Sequence, residues 1–204
     1  MKKTVLLFGI ATLFLLFLIP QAFATIYELT PRQANLFDLD HYNYYLWGIN
    51  WKPVTGETVK NITLKIDDIN NWNNKKNVLY IDLLDKVSPG LIVKRDTPSS
   101  GDGVARWAKN KHISDILLDT YTDKDGGPRG HVEDYSCLFS KSEIDRFNLF
   151  DADGNFGFGF DPDCHYWNKG VSLRVETTNA IPEPASVILF GTGLFGAFFK
   201  RRKI

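Results

Sequence analysis

Asp151, Asp153 and Asn155 have the spacing of the first oxygen ligands of a calcium-binding loop. The segment departs from an EF-hand twice, because Phe156 stands where that loop needs glycine and Pro162 stands where it needs glutamate. Calcium accepts many arrangements of oxygen, so a loop of another kind remains open, and so does an ordinary turn between a helix and a strand. The further oxygen ligands of such a site are Asp161 and Asp163. Calcium is the only cofactor that the sequence suggests.

Weaker acidic clusters lie at residues 38–41 and 123–127, where a solvated turn is the alternative to a calcium site. For catalysis, the chain offers carboxylates and four histidines but no motif that pairs them. No nucleophile elbow, zinc-protease helix or phosphate loop appears in the sequence. Asp163 and His165 form the pair that we would mutate first in a search for an enzyme. The sequence nevertheless favours a protein that is not an enzyme.

Aromatic residues make up 14% of the chain, and they crowd residues 42–51 and 166–167. In a β-strand, successive side chains point to opposite faces, so the first segment must place rings on both faces. One set of rings is therefore either exposed or covered by a loop or a helix. Exposed rings beside acids and amides suit stacking on sugars. The candidate glycan contacts are Tyr166, Trp167, Trp47 and Trp51.

Alternation of apolar and polar residues predicts the strands that must position these side chains. The alternating segments are residues 61–67, 79–83, 156–160 and 171–176, with residues 42–51 as a further aromatic strand. Ser140 and Glu143 have the spacing of a capping box, which predicts a short helix. Residues 107–119 are ambiguous between helix and strand. Many strands joined by turn-rich stretches, such as residues 70–77, predict a mainly-β fold. We expect an antiparallel, jelly-roll-like β-sandwich with one or two short helices.

The N-terminus has the pattern of a secretory signal peptide. Lys2 and Lys3 precede an apolar run over residues 5–19, which is followed by Pro20 and a small–x–small cleavage site. The small residues of that site are Ala22 and Ala24, and cleavage by signal peptidase leaves Thr25 first. Residues 1–24 are therefore predicted to be a signal helix that is removed.

The C-terminus combines a proline motif, an apolar segment and a basic tail, in that order. The apolar segment covers residues 185–199, and its glycines weaken its helix, so it suits a temporary anchor. The basic tail holds its own end of that hydrophobic helix in the cytoplasm. The residues of the motif and the tail are Pro182, Glu183, Pro184, Lys200, Arg201, Arg202 and Lys203.

This three-part arrangement over residues 182–204 resembles the PEP-CTERM sorting signal of Gram-negative bacteria. The resemblance implies that a membrane-embedded exosortase cleaves near the Pro-Glu-Pro motif, and it implies an association with exopolysaccharide and the biofilm matrix. Residues 157–168 resemble a segment of uncharacterised PEP-CTERM proteins, which implies a shared sandwich and no known activity. The chain then divides into a signal peptide at 1–24, an exported domain at 25–180 and a sorting signal with a short transmembrane helix at 181–204.

Cys137 and Cys164 are the only cysteines in a chain that is predicted to enter an oxidising compartment. A disulfide between them would close a loop of about 27 residues and stabilise the domain by roughly 3–4 kcal/mol. We therefore predict a structural disulfide. A metal site with His165 and His131 is the alternative, but no CxxC or HxxxH spacing supports it.

Between residues 25 and 180 the chain carries 18 basic and 23 acidic side chains. This acidic balance argues against a nucleic-acid partner, which needs a basic protein face. The sequence predicts an exported protein of the cell surface or extracellular matrix, transiently anchored in the inner membrane. Its predicted role is a structural or glycan-contacting component of the exopolysaccharide layer, and the alternative is a small secreted polysaccharide-modifying enzyme. The predicted partners are signal peptidase, exosortase and exopolysaccharide.

Overall fold

The computed structural model describes residues 24–32, 36–95, 115–123 and 132–179. Within them, two antiparallel β-sheets share one hydrophobic core, and a single α-helix packs against strands of both sheets. This architecture confirms the predicted sandwich. The predicted signal helix and C-terminal hydrophobic helix lie outside the described residues. No helix in the described part of the chain is long and apolar enough to span a bilayer.

Eleven strands, one helix and a 3₁₀ turn make up the described secondary structure. The strands are β1 (Ala24–Leu29), β2 (Asp38–Leu39), β3 (Asn43–Asn50), β4 (Glu57–Asn71), β5 (Asn77–Leu84), β6 (Gly90–Arg95), β7 (Ile116–Asp123), β8 (Glu133–Leu138), β9 (Asn155–Pro162), β10 (Tyr166–Trp167) and β11 (Gly170–Asn179). The helix α1 spans Lys141–Phe150, and the 3₁₀ turn follows over Asp151–Asp153. Every segment that alternation predicts as a strand is one, and the ambiguous segment contributes the start of β7.

The strand order is that of a jelly roll. One sheet runs β1-β11-β4-β10-β2, with β8 also paired to β4, and the other runs β6-β3-β9-β5-β7. The pairs β1–β11, β3–β9, β4–β8 and β5–β7 nest inside one another along the chain, as they do when one long antiparallel hairpin rolls up into two sheets. The nesting brings distant residues together, so that Trp47 of β3 lies opposite Phe158 of β9.

The core is built from the apolar positions of the alternating strands. Ile62, Leu64 and Ile66 of β4 are fully buried in one sheet, and Phe158 and Phe160 of β9 are buried in the other. A large apolar side chain that leaves water in this way contributes about 1.5–3 kcal/mol. These two inner faces therefore hold the sheets together. The polar residues that alternate with the apolar ones along β4 face outward.

The helix α1 begins at the predicted capping box. The Ser140 hydroxyl accepts a hydrogen bond from the Glu143 N–H, and the Glu143 carboxylate accepts one from the Ser140 N–H. Phe147 and Phe150 are buried on the same helix, with Ile144 half-buried beside the core. The cap satisfies N–H groups that have no partner within the helix, and the buried aromatic face packs the helix against the core. A helix of only ten residues is therefore stable here.

The predicted disulfide between Cys137 and Cys164 is wrong, since both cysteines are free and buried. Cys137 lies opposite Leu64 in the middle of β4, whereas the Cys164 sulfur accepts a hydrogen bond from the Asn73 amide, beyond the end of that strand. These positions are about 20 Å apart along β4, and a disulfide spans at most roughly 7 Å between Cα atoms. Burial also raises the pKa of Cys137 to about 11, so its sulfur stays a protonated thiol at neutral pH.

Candidate functional site

Parts of three strands, β2, β10 and the end of β4, lie side by side in the six-stranded sheet and share an outward face. Trp167 of β10 lies opposite Asp38 of β2 on one side and opposite Asn70 of β4 on the other. The next position on each strand points into the core and is buried: Leu39, Asn71 and Tyr166. Because side chains alternate between the two faces of a sheet, Asp38, Asn70 and Trp167 form one outward row.

A second row lies beside the first. The Trp72 N–H donates a hydrogen bond to the His165 carbonyl at 2.9 Å, which places these two residues next to each other just past the end of β4. Asp40 follows the buried Leu39 and is therefore on the same face as Asp38. We call the six residues of the two rows the aromatic platform: Asp38, Asp40, Asn70, Trp72, His165 and Trp167.

His165 links two other side chains of the aromatic platform. The His165 Nε2 atom contacts a carboxylate oxygen of Asp38, and the ring centroids of His165 and Trp167 are 5.0 Å apart. Trp72 is 55% exposed, and Trp167 is half-buried. The platform therefore places two indole rings, two carboxylates, an imidazole and an amide on one face of the sheet.

Tyr45 fixes the two-residue strand β2 from the core side. Its hydroxyl accepts a hydrogen bond from the Asp40 N–H at 2.8 Å and donates one to the Asp38 carbonyl at 3.2 Å. Burial raises the pKa of Tyr45, so the hydroxyl stays protonated and keeps its donor. The carboxylates of Asp38 and Asp40 are thus positioned by a buried phenol as well as by the strand.

Asparagine side chains close the turn between β4 and β5 and fix the backbone at Trp72. The Asn71 Oδ1 accepts a hydrogen bond from the Asn73 N–H at 3.2 Å, and the Asn73 Oδ1 accepts one from the Lys75 N–H at 2.8 Å. The Asn77 amide donates to the same Asn73 oxygen at 2.9 Å. Local bonds of this kind substitute for backbone pairing in turns. The exposed indole of Trp72 is therefore carried by an ordered turn.

Of the four aromatic residues that the sequence predicts as glycan contacts, only Trp167 belongs to the platform. Tyr166 is fully buried, so its predicted role as a contact is wrong, because the alternation of β10 points it into the core. Trp47 is also a core residue, at 4% exposed, although it lines an open cleft of about 720 Å³. Trp51 is half-buried, with its ring 5.0 Å from that of Tyr27.

The five predicted calcium ligands do not come together. Asp151 precedes β9 and Asn155 begins it, while Asp161 and Asp163 lie at and just after its other end, about 20 Å away along the strand. The Asp153 Oδ1 accepts a hydrogen bond from the Asn155 N–H at 3.0 Å, which is a local bond of a turn. Among the described residues, no three Asp, Glu, His or Cys side chains are grouped so that they could hold a metal. These five side chains therefore do not form one calcium site, and Asp153 and Asn155 are part of a local turn.

His165 has a different partner from the one that the sequence predicts. Its Nε2 atom contacts Asp38, on a strand more than 100 residues earlier in the chain. Asp163 instead accepts a hydrogen bond from the Val78 N–H at 2.6 Å, and the Asp163 N–H donates to the Val78 carbonyl at 2.9 Å. Asp163 thus ties the loop after β9 to β5.

The weaker acidic clusters also make structural contacts. The Asp40 Oδ1 accepts a hydrogen bond from the Tyr42 N–H at 3.1 Å and lies 3.4 Å from the His41 Nδ1. Asp123 is buried and accepts a hydrogen bond from the Asn71 N–H at 3.1 Å. The other residues of the 123–127 cluster lie outside the described part of the chain.

Asp151 is a buried carboxyl at the junction of α1 and the 3₁₀ turn. The residue is 5% exposed, and its Oδ1 atom has no hydrogen-bond partner among the described residues. Burial raises the pKa of Asp151 to about 7, with Lys52 opposing the rise and Asp153 adding to it. Ionisation of Asp151 therefore weakens the folded state.

The folded carboxyl of Asp151 ionises near pH 7 and the unfolded one near 3.9, so this group costs stability as the pH rises from about 4 to about 7. Asp151→Asn should have little effect at pH 4 and should raise the free energy of unfolding by about 2–4 kcal/mol at pH 8. Urea denaturation of residues 25–180 at each pH measures this difference. Asp145→Asn is the control, because Asp145 is exposed on α1 and is not among the groups that shift the pKa of Asp151. Equal effects of Asp151→Asn at the two pH values would contradict the assignment.

The sequence patterns do not identify Trp72, Asn70 or the contact between Asp38 and His165. One signal was available, since Trp72 stands in a run of turn-forming asparagines, where no strand alternation directs an indole into the core. The contact between β2 and β10 had no such signal, because each strand has only two residues.

Residues 180–203 match the family model of the PEP-CTERM protein-sorting motif, which confirms the sorting signal predicted over 182–204. The matched residues lie outside the described part of the structure. Comparison with curated proteins gives no match. The motif implies export, processing by an exosortase and a C-terminal signal that is only transiently in the membrane. The chain therefore carries a PEP-CTERM sorting motif and is an exported protein targeted to an exosortase.

Proposed function

We propose that this protein is a non-enzymatic component of the exopolysaccharide layer and that it contacts glycan through the aromatic platform. The observation that carries the proposal is the pair of indole rings, Trp72 and Trp167, on one outward face beside carboxylate and amide groups. Large apolar rings that are exposed together on an ordered surface are typical of binding sites.

The chemistry of the platform suits sugars. An indole ring packs against the C–H face of a sugar ring, while neighbouring polar groups bond its hydroxyls. The carboxylates of Asp38 and Asp40 accept hydrogen bonds, and the Asn70 amide both donates and accepts them. Polysaccharides present repeated rings and hydroxyls, so a flat platform suits them better than it suits a small ligand, which prefers a concave site.

The bounds of the folded unit support the proposed processing. The compact unit begins at Thr25, whose hydroxyl donates a hydrogen bond to Glu57 at 2.9 Å. Cleavage by signal peptidase before Thr25 would therefore leave this contact intact. At the other end β11 ends at Asn179, shortly before the Pro-Glu-Pro motif. Both cuts would release the sandwich whole, to the cell surface or the extracellular matrix.

A secreted polysaccharide-modifying enzyme is the second candidate, and the contact between His165 and Asp38 favours it. A histidine held by a carboxylate is the usual form of a general base. Release of reducing sugar from the polysaccharide, lost in the His165→Ala variant, would identify an enzyme. Saturable binding without release supports a binding protein.

The first test is a titration of residues 25–180 with exopolysaccharide purified from the exporting cells, followed by tryptophan fluorescence. We expect a saturable change, because Trp72 and Trp167 report directly on the platform. We also expect the same curve with calcium and with a chelator, since the predicted calcium ligands are not assembled. A flat titration in both conditions would contradict the proposed glycan contact.

A further inference from the structure

We propose that the aromatic platform selects polysaccharides that carry free amino groups and rejects those that carry uronic acids. This proposal rests on the proposed function, because it names the class of sugar that the aromatic platform would bind. It follows from three properties of the platform: its charge, its pairing of rings with carboxylates, and the positions of the nearest cations.

The platform carries two carboxylates, and each has a histidine beside it: His165 contacts Asp38, and the His41 Nδ1 lies 3.4 Å from the Asp40 Oδ1. Among its six residues, Asp38 and Asp40 are carboxylates, and none is lysine or arginine. Their side chains are 61% and 37% exposed, so a ligand on the platform meets them directly. A uronate sugar would bring a third carboxylate next to these two, and like charges at close range are unfavourable.

An aromatic ring beside a carboxylate forms a favourable binding site for an ammonium group. Trp167 and Asp38 occupy directly opposite positions on neighbouring strands, where side chains start about 5 Å apart. A cation is attracted to the face of an aromatic ring, and tryptophan is the most favourable ring. A carboxylate beside that ring accepts a charge-assisted hydrogen bond from the same cation. In the structure the His165 imidazole contacts the Asp38 carboxylate and lies 5.0 Å from the Trp167 ring, so the protonated amine of a deacetylated amino sugar would take the place of that imidazole to meet both groups.

The lysines around the platform are engaged or distant, whereas His165 and His41 lie directly beside the two carboxylates. Lys169, which follows β10, forms an ion pair with Asp68 at 2.6 Å. Lys75 and Lys76 lie in the turn after β4, and β10 separates β4 from β2 and its carboxylates. The two strand spacings from β4 to β2 amount to about 10 Å, and this distance exceeds the Debye length of about 8 Å at physiological ionic strength. These lysines therefore offset little of the charge at Asp38 and Asp40.

The test compares the affinity of residues 25–180 for three soluble polymers of matched length. They are chitosan oligosaccharide with free amines, its fully N-acetylated counterpart, and polygalacturonate. We expect the free-amine polymer to bind about tenfold more tightly than the acetylated one, and polygalacturonate to bind weakest. The double variant Asp38→Asn, Asp40→Asn should bind the free-amine and acetylated polymers equally.

Two controls separate recognition from general attraction between a polycation and an acidic protein. Asp145→Asn with Asp153→Asn removes two exposed carboxylates from other parts of the chain and should keep the tenfold preference. Trp72→Ala with Trp167→Ala keeps every charge and should lose the binding of the free-amine polymer. Survival of that binding in the tryptophan variant would show general attraction and overturn the proposal.

The outcomes also separate this proposal from the proposed function. Equal affinity for all three polymers, or tighter binding of polygalacturonate, overturns the selection for amino groups and leaves glycan contact standing. No binding of any of the three, together with a flat titration with the cells' own exopolysaccharide, overturns both. Binding of the exopolysaccharide alone overturns the amino-sugar selection only.

Discussion

The double variant Trp72→Ala, Trp167→Ala should lose about a hundredfold in affinity for exopolysaccharide. Truncation of an exposed aromatic anchor in a binding site costs at least about 1.4 kcal/mol, or tenfold, and the two rings occupy adjacent rows of one face. Isothermal titration calorimetry of residues 25–180 measures the loss. Each single variant should lose about tenfold, since both rings contact the same ligand.

The control for this prediction is Leu149→Ala. Leu149 is 67% exposed on α1, outside the platform, so its removal deletes exposed apolar surface without touching the rings. We expect unchanged affinity in that variant. The melting temperature of Trp72→Ala should stay close to that of the wild type, because Trp72 is the more exposed ring. The melting temperature of Trp167→Ala should fall modestly. Full affinity in the folded double variant would exclude the platform as the glycan contact.

Gly48→Ala should destabilise the sandwich by about 3 kcal/mol, the upper part of the range for overpacking. A Cβ atom at Gly48 would lie 2.1 Å from the Ser88 carbonyl oxygen, which is part of the backbone and cannot rotate away. Strand β3 lies between β6 and β9, so a shift there disturbs two neighbouring ladders. Thermal unfolding followed by circular dichroism should show a fall of roughly 6–12 °C.

Gly170→Ala is the matched control for this variant. Gly170 is also in a strand, but a Cβ atom there would lie no closer than 3.8 Å to its neighbours, which is ordinary contact. Its φ is not in the left-handed region, so alanine fits without strain. We expect stability equal to or above that of the wild type. Equal melting temperatures for Gly48→Ala and Gly170→Ala would contradict the close approach of Ser88 to β3.

The strands and the helix cap follow from local patterns in the sequence. The alternation around Leu64 and around Phe158 is a property of adjacent residues, and so is the capping box of Ser140 and Glu143. Such patterns need no knowledge of which strands pair. The jelly-roll-like sandwich class was therefore predictable, whereas the order in which the strands pair was not.

The wrong predictions concern residues whose contacts depend on the register between strands. Cys137 and Cys164 are the only two cysteines, but β8 and the loop before β10 meet β4 at different points. The platform likewise needs β2, β10 and β4 in one register, and Asp38 is far from His165 in the chain. Composition cannot supply that alignment. The aromatic content predicted an exposed aromatic surface, and only the register showed that Trp72 belongs to the platform while Tyr166 is buried.

The path of β11 sets how far the protein reaches. The strand starts just after the platform at Gly170 and ends at Asn179, from which the chain continues toward the sorting motif. Nine residue steps of a β-strand cover about 30 Å. The platform therefore lies about 30 Å along the sheet from the last residue of β11. If the platform binds glycan as proposed, the length of β11 would keep that glycan about 30 Å from the end of the strand.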